Sequence, residues 1–287
     1  MSDITRVGVA GCGLMGSGIV EVCSRAGLDV VVREVDDGAA AAGRARIEGS
    51  LARAVRAGKL SAEDRDAALT RVRVTTALDD LADRELVIEA ATENPAVKAA
   101  LFAELDRVTE RPDVILATNT SSIPIVQVAQ ATTRPAQVVG LHFFNPVPVQ
   151  RLVEVIPSVL TAPQVVQRVT DLVTKALGKT VIKAPDRSGF VVNALLVPYL
   201  LSAIRMLEAG YATAEDIDLG MTLGCAHPMG PLKLSDLIGL DTVASVADSM
   251  YAEFKEPLYA PPPLLSRMVE AGLLGRKCGR GFFNYAK

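Results

Sequence analysis

Two groups of residues have the types and spacing to do chemistry. The first is Gly11-Cys12-Gly13-Leu14-Met15-Gly16, a G-x-G-x-x-G run followed by Glu34. An acidic residue at that distance reaches the adenosine ribose of a dinucleotide whose phosphates rest on the glycine-rich turn. Each glycine has its own mechanical role. Gly11 permits the tight turn, Gly13 lets the backbone approach the pyrophosphate, and Gly16 lets a helix close onto a strand. Leu14 and Met15 lie inside the same turn and belong to the same candidate cofactor site. A carboxylate at Glu34 bonds a ribose 2′-hydroxyl and repels a 2′-phosphate, which favours NAD over NADP. Asp36 is an alternative for that part, and Arg33 is the residue that would serve a 2′-phosphate instead.

The second group lies in Val138-Val139-Gly140-Leu141-His142-Phe143-Phe144-Asn145-Pro146-Val147-Pro148, which runs on to Arg151-Leu152-Val153-Glu154-Val155-Ile156. Two strands flank a proline-rich turn. If they pair antiparallel about Pro148, His142 and Glu154 are equidistant from the turn and point to the same face of the sheet. An imidazole held by a carboxylate is fixed in one tautomer and made more basic, which suits a proton acceptor near neutral pH. Oxidation of an alcohol by hydride transfer needs such a base.

The elements that must position these groups follow from hydrophobic periodicity. The apolar run Arg6 to Ala10, the glycine turn, a helical segment from Gly16 to Ala26 and a strand from Leu28 to Val32 make a βαβ unit. Further strands are expected at Val72 to Thr75, Leu86 to Glu89, Val114 to Thr118 and Val138 to His142, separated by helix-length segments, an alternation that predicts a parallel sheet. Between the second and third strands Ala39 to Asp66 reads as an inserted pair of helices, with Ile47, Leu51 and Val55 at four-residue spacing. Strand signals stop near Lys183 to Ser188, and from Gly189 onward the pattern is apolar and helical. The expected organisation is an α/β dinucleotide-binding domain of Rossmann type over residues 1–185, carrying a helical-hairpin insert, and an all-α domain over 186–287. The apolar segment Phe190 to Leu207 has more hydrophobic surface than one small helical domain readily buries, so a homodimer through the second domain is expected.

Composition narrows the function classes. With 287 residues, 49% of them hydrophobic, the chain can bury two sizeable cores. Its 33 acidic against 30 basic residues leave no basic excess for nucleic acid. Cys12, Cys23, Cys225 and Cys278 form no C-x-x-C pair, and there are only two histidines, His142 and His227. Free thiols in the cytoplasm are therefore expected, with no metal site. His227 reads as a turn residue. No signal peptide is visible, and the longest apolar stretch, Phe190 to Ile204, is too short and too interrupted to span a membrane.

Taken together, GCGLMGSGI, ATNTSSIPI, GLHFFNPVPV, LVEVI, DRSGFVVN and HPMGP resemble the 3-hydroxyacyl-CoA dehydrogenase family, in particular its stand-alone 3-hydroxybutyryl-CoA dehydrogenases. The likeness runs from Val7 to the closing GRGFFNY. It implies reversible hydride transfer between NAD and the 3-hydroxyl of a short-chain acyl-CoA (acetoacetyl-CoA, 3-hydroxybutyryl-CoA), in fatty acid and butanoate metabolism. It further implies His142 as general base, Glu154 as its orienting partner, and Ser121 and Asn193 as donors to the substrate oxygen beside Asn145. Glu93, Lys98 and Asn119 are implied as cofactor contacts. Ser50, Arg53, Arg56 and Lys59, on the inserted hairpin, are implied to face the anionic coenzyme A. One departure is Ala194, where the family often has Arg after the Asn. Two alternatives stay open: an NADPH-preferring acetoacetyl-CoA reductase of the same fold, and a dinucleotide-binding protein without turnover. A serine hydrolase built on Ser121 or Ser122 lacks the G-x-S-x-G elbow.

Overall fold

Arg6–Ala10 is short, apolar and bounded by Gly11, and it forms β1, buried along almost its whole length. The chain then turns into α1 (Leu14–Arg25) and returns as β2 (Asp29–Arg33). The computed structural model describes residues 3–285, and the chain divides into two compact units, Met1–Asp186 and Arg187–Lys287.

The insert follows β2. Asp36 caps α2 (Asp37–Arg56), its Oδ1 accepting from the Ala39 N–H at 2.7 Å, an N-cap worth about 1 kcal/mol. Gly58, at φ 67, and the Ser61 cap then turn the chain into α3 (Ala62–Thr70). One stripe of α2, Gly43, Ile47 and Leu51, is buried, and the spacing of four places it on a single face. Gly43 lies so close to the glycine turn that a Cβ there would sit 2.6 Å from the Cys12 Cβ. The insert is therefore seated directly on the turn.

Next come β3 (Val72–Thr75), β4 (Leu86–Glu89), α4 (Pro95–Val108), β5 (Ile115–Thr118), α5 (Ile125–Ala129), β6 (Val138–Phe143), β7 (Leu152–Pro157), α6 (Pro163–Asp171) and β8 (Thr180–Lys183). The eight strands form one sheet in the order β3-β2-β1-β4-β5-β6-β7-β8. All neighbouring pairs are parallel except β6 with β7. Strands β4, β5 and β6 are buried throughout, as a sheet covered on both faces requires. The order reverses beside β1, between β2 and β4, and there a doubly wound sheet opens a crevice at its carboxyl ends. This is the Rossmann-type fold. The strand candidates named above omit β8, an edge strand with exposed ends and little hydrophobic contrast.

The second unit is helical: α7 (Val192–Glu208), α8 (Ala214–Leu219), α9 (Pro231–Ile238), α10 (Leu240–Phe254) and α11 (Pro263–Glu270). Its core gathers around Val197, Leu200, Leu201 and Ile204 of α7 with Leu232, Leu240, Met250 and Leu265. Two buried carboxylates hold its turns. Asp218 accepts from the Leu232 and Lys233 N–H groups at the start of α9, and Asp236 accepts from Phe282 N, Phe283 N and the Tyr285 hydroxyl. The closing GRGFFNY run is thereby tied to α9. No helix of the described residues is long and apolar enough to cross a membrane.

All four cysteines are free thiols, two buried and two exposed. Burial pushes the Cys12 and Cys23 thiols up to about 12. Because the thiolate is the reactive form, a thiol reagent at pH 8 should titrate Cys225 and Cys278 in the native protein, with the other two appearing only on denaturation. Fast native labelling of Cys12 or Cys23 would contradict this packing.

Candidate active site

At the carboxyl end of β1, Gly11 takes φ +100, and a Cβ there would press on the Ala90 carbonyl at 2.9 Å. A Cβ at Gly16 would lie 1.9 Å from the Gly11 oxygen, so only glycine lets α1 start this close to the turn. Gly13 differs, because a Cβ there would meet nothing within 4 Å. The space above Gly13 suits a pyrophosphate brought against the backbone at a helix N-terminus. Leu14 is exposed beside it, and Met15 packs against the core.

Glu34 follows β2, and its carboxylate accepts from the Cys12 and Val35 N–H groups, at the turn. Asp36 is occupied as the α2 cap, and Arg33 Nε reaches the Thr76 carbonyl at 3.4 Å. Of these three side chains, that of Glu34 is the one bonded to the glycine turn.

At the ends of β4 and β5 lies a polar cluster. Glu89, fully buried, holds Lys98 Nζ at 2.7 and 2.8 Å and accepts from the Thr118 hydroxyl and the Ala91 N–H. Lys98 is 1% exposed and also lies 3.4 Å from Glu93. Glu93 Oε1 accepts from the Thr120 hydroxyl, from the Ser121 N–H at 2.9 Å and hydroxyl at 3.3 Å, and from the Ser122 N–H. Burial pushes the Glu93 carboxyl up, but the Lys98 charge and the Thr120 and Ser121 donors outweigh it and hold it below the usual carboxylate value. Removing one member of a buried ion pair costs about 3–5 kcal/mol, so Lys98 is far from an interchangeable surface lysine. The carboxylate of Asp186, not Ser121, accepts from the first N–H groups of α5, Ile125 and Val126. Ser121 is left to Glu93 and the crevice.

His142 and Glu154 are register partners across the antiparallel pair β6/β7, and Nδ1 lies 2.6 Å from Glu154 Oε2. Both are buried, with Glu154 fully so. A carboxylate only accepts, so Nδ1 carries the proton and Nε2 is the nitrogen set for exchange. Phe144 packs on the imidazole, ring centroids 4.5 Å apart. Asn119 Oδ1 takes the Phe143 N–H at 2.9 Å, tying the end of β5 to the end of β6. Asn193 lies on the first turn of α7, in the second unit.

Beside the dyad strands the first unit has a cleft of about 180 Å³, walled by Leu14, Ser17, Gly18, the turn from Asn145 to Pro148, and Arg46, Ser50 and Arg53 of α2. Arg56 and Lys59 do not line it. Arg46, absent from the candidates that the sequence offers, also donates to the Cys12 carbonyl at 3.3 Å. Its spacing to Ser50 and Arg53, four and then three residues, is the one-face signal that marks it.

A dinucleotide turn, an acid on it, and a carboxylate-held histidine at the same sheet edge define an NAD-dependent oxidoreductase. Two family models agree: the 3-hydroxyacyl-CoA dehydrogenase NAD binding domain matches residues 6–187, and the C-terminal domain of that name matches 189–285. The chain belongs to the 3-hydroxyacyl-CoA dehydrogenase family. It is 60% identical to a 3-hydroxybutyryl-CoA dehydrogenase of Mycobacterium tuberculosis over 99% of this chain and 100% of that one. The crystal structure of Mycobacterium tuberculosis FadB2 superposes with TM-score 0.98 at 60% identity over 99% of both chains. That of (S)-3-hydroxybutyryl-CoA dehydrogenase PaaH1 from Ralstonia eutropha gives 0.93 at 44% identity, over 99% of this chain and 100% of that one.

The two glycines separate folding from binding. Gly13→Ala should leave the melting temperature within a degree or two of wild type yet weaken NADH binding about tenfold or more, since its methyl occupies only the phosphate approach. Gly16→Ala should lower both. Calorimetric melting with NADH titration checks this, and unchanged NADH affinity in Gly13→Ala would refute it.

Proposed function

We propose that this chain is an NAD-dependent dehydrogenase of short-chain 3-hydroxyacyl-CoA, interconverting 3-hydroxybutyryl-CoA and acetoacetyl-CoA. The observation that carries the reading is the His142 Nδ1 to Glu154 bond at the sheet edge that bears the glycine turn. Bound NAD supplies the hydride acceptor. His142 takes the hydroxyl proton through Nε2, and Glu154 keeps the ring in that tautomer and stabilises the imidazolium. Ser121, Asn145 and Asn193 are the residues we assign to the substrate, Ser121 and Asn193 as donors to its oxygen. Glu93, Lys98 and Asn119 hold the nicotinamide side of the cofactor site, and Glu34 takes the adenosine ribose. Arg46, Ser50 and Arg53 give the cleft its cationic and polar wall for coenzyme A. The free cysteines fit a reducing cytoplasm.

Absorbance of the reduced nicotinamide with acetoacetyl-CoA, using NADH and NADPH in parallel, tests the reading directly. NADH should give the higher kcat/KM, and a preference for NADPH would remove Glu34 from the ribose. His142→Gln should lower kcat by about 10²–10⁴-fold with NADH binding nearly unchanged. Glu154→Gln should also lower it, and the double variant should cost little more than His142→Gln alone, because the two act as one unit. Multiplying losses would mean separate roles.

The second unit exposes Leu195 of α7, Tyr211 and Leu223, each more than 70% accessible. We infer that a second copy of the chain covers these side chains, as a homodimer joined through this unit. Light scattering at micromolar concentration should report twice the chain mass, and a monomer would overturn the inference.

A further inference from the structure

Lys179 stands immediately before β8, and the reactions above give it no part. Its Nζ donates to the carbonyls of Val147 at 2.7 Å and Gln150 at 2.6 Å, residues about thirty positions earlier in the chain. Those carbonyls belong to the turn between the strands that carry His142 and Glu154. The turn is otherwise closed by the Val149 and Gln150 N–H groups, both on the Pro146 oxygen at 2.9 Å. Its inner side rests on α1: Val147 is buried, and a Cβ at Gly18 would come within 2.8 Å of the Val147 Cβ. Its outer side, Asn145 to Pro148, walls the cleft shared with Arg46, Ser50 and Arg53. Lys179 is not among the residues lining that cleft.

A proline-rich turn has few N–H groups, and its carbonyls need donors from elsewhere. An ammonium bridging two carbonyls three residues apart replaces the missing ladder and fixes the turn from behind. Charge-assisted bonds of this kind are roughly twice as strong as neutral ones. Burial lowers the lysine's proton affinity, consistent with an amine drawn in under the turn rather than extended into water.

We propose that Lys179 is a positioning residue: by clamping the Val147 and Gln150 carbonyls it sets the wall of the cleft against which the acyl-CoA is held. The inference rests on the reading of that cleft as the acyl-CoA site. It separates binding from chemistry, because the pairing of β6 with β7 holds His142 against Glu154 independently of the turn's outer wall.

Steady-state kinetics with acetoacetyl-CoA and NADH test it. Lys179→Met keeps the aliphatic stem and removes the donors. It should raise the KM for acetoacetyl-CoA about tenfold, leave kcat within about threefold, and leave the NADH dissociation constant unchanged. Lys179→Arg, which can again reach two carbonyls, should recover most of the KM. Lys179→Gln, which keeps a donor but loses the charge, should raise the same KM by a smaller factor, which keeps the inference testable if Lys179→Met fails to fold. An unchanged KM in either variant, or a loss of NADH affinity equal to the rise in KM, overturns it. A wild type that does not turn over acetoacetyl-CoA overturns the reading of the cleft and this inference together. An active wild type with an unchanged KM in the folded Lys179→Met variant overturns the inference alone.

Discussion

A carboxylate buried within a sheet has to be met by donors, and Glu154 takes one from His142 Nδ1, 2.6 Å away. Glu154 has no solvent exposure, so without this partner its charge would face a desolvation cost of several kcal/mol. The same bond decides the imidazole tautomer and aims Nε2. It exists because β7 runs against β6, the one antiparallel neighbour in the sheet, and because the register sets residue 142 opposite 154. A slip of β7 by one residue would put Glu154 on the opposite face of the sheet from His142.

Around this pair the strand ends are cross-tied rather than independent. Asn119 holds the backbone of Phe143, Glu93 gathers Thr120, Ser121 and Ser122, and Lys98 joins Glu93 to the buried Glu89. Loops at the carboxyl edge of a parallel sheet have no ladder of their own. Here the carboxylates of Glu89 and Glu93 supply the acceptors their N–H and hydroxyl groups need. On the other side of the turn, the absence of Cβ atoms at Gly16 and Gly43 brings α1 and α2 down onto Gly11 and Cys12.

Much of this is legible in the sequence. The glycine turn, the strands Val72 to Thr75 and Leu86 to Glu89, the inserted helices and the His142/Glu154 register all follow from periodicity and symmetry about a turn, which are local properties. The signals that fail are non-local. Nothing on the helix of Lys98 marks it as buried, and only the approach of Glu89 from β4 makes it a buried cation. Nothing in the residues beside Ser121 shows that the N–H groups of α5 are taken by Asp186, some sixty residues on. The spacing of Arg46 to Ser50 and Arg53 marks its face of the helix, but its bond to the Cys12 carbonyl has no local signal, because that turn lies 34 positions earlier. β8 has an edge strand's weak pattern and owes its place to β7.

The reversal of direction at β6 also bears on how the dyad comes to exist as the chain folds. Two parallel strands need a crossover of a dozen residues or more, usually a helix. The antiparallel step needs only a turn, so His142 and Glu154 stand 12 positions apart in the chain. Closing so short a loop costs about 1 kcal/mol less in chain entropy than the contact from Glu93 to Ser121, 28 positions apart, or from Asp186 to Ile125, 61 apart. The histidine and its carboxylate therefore form a contact of low sequence separation, while the rest of the crevice depends on distant segments of the chain.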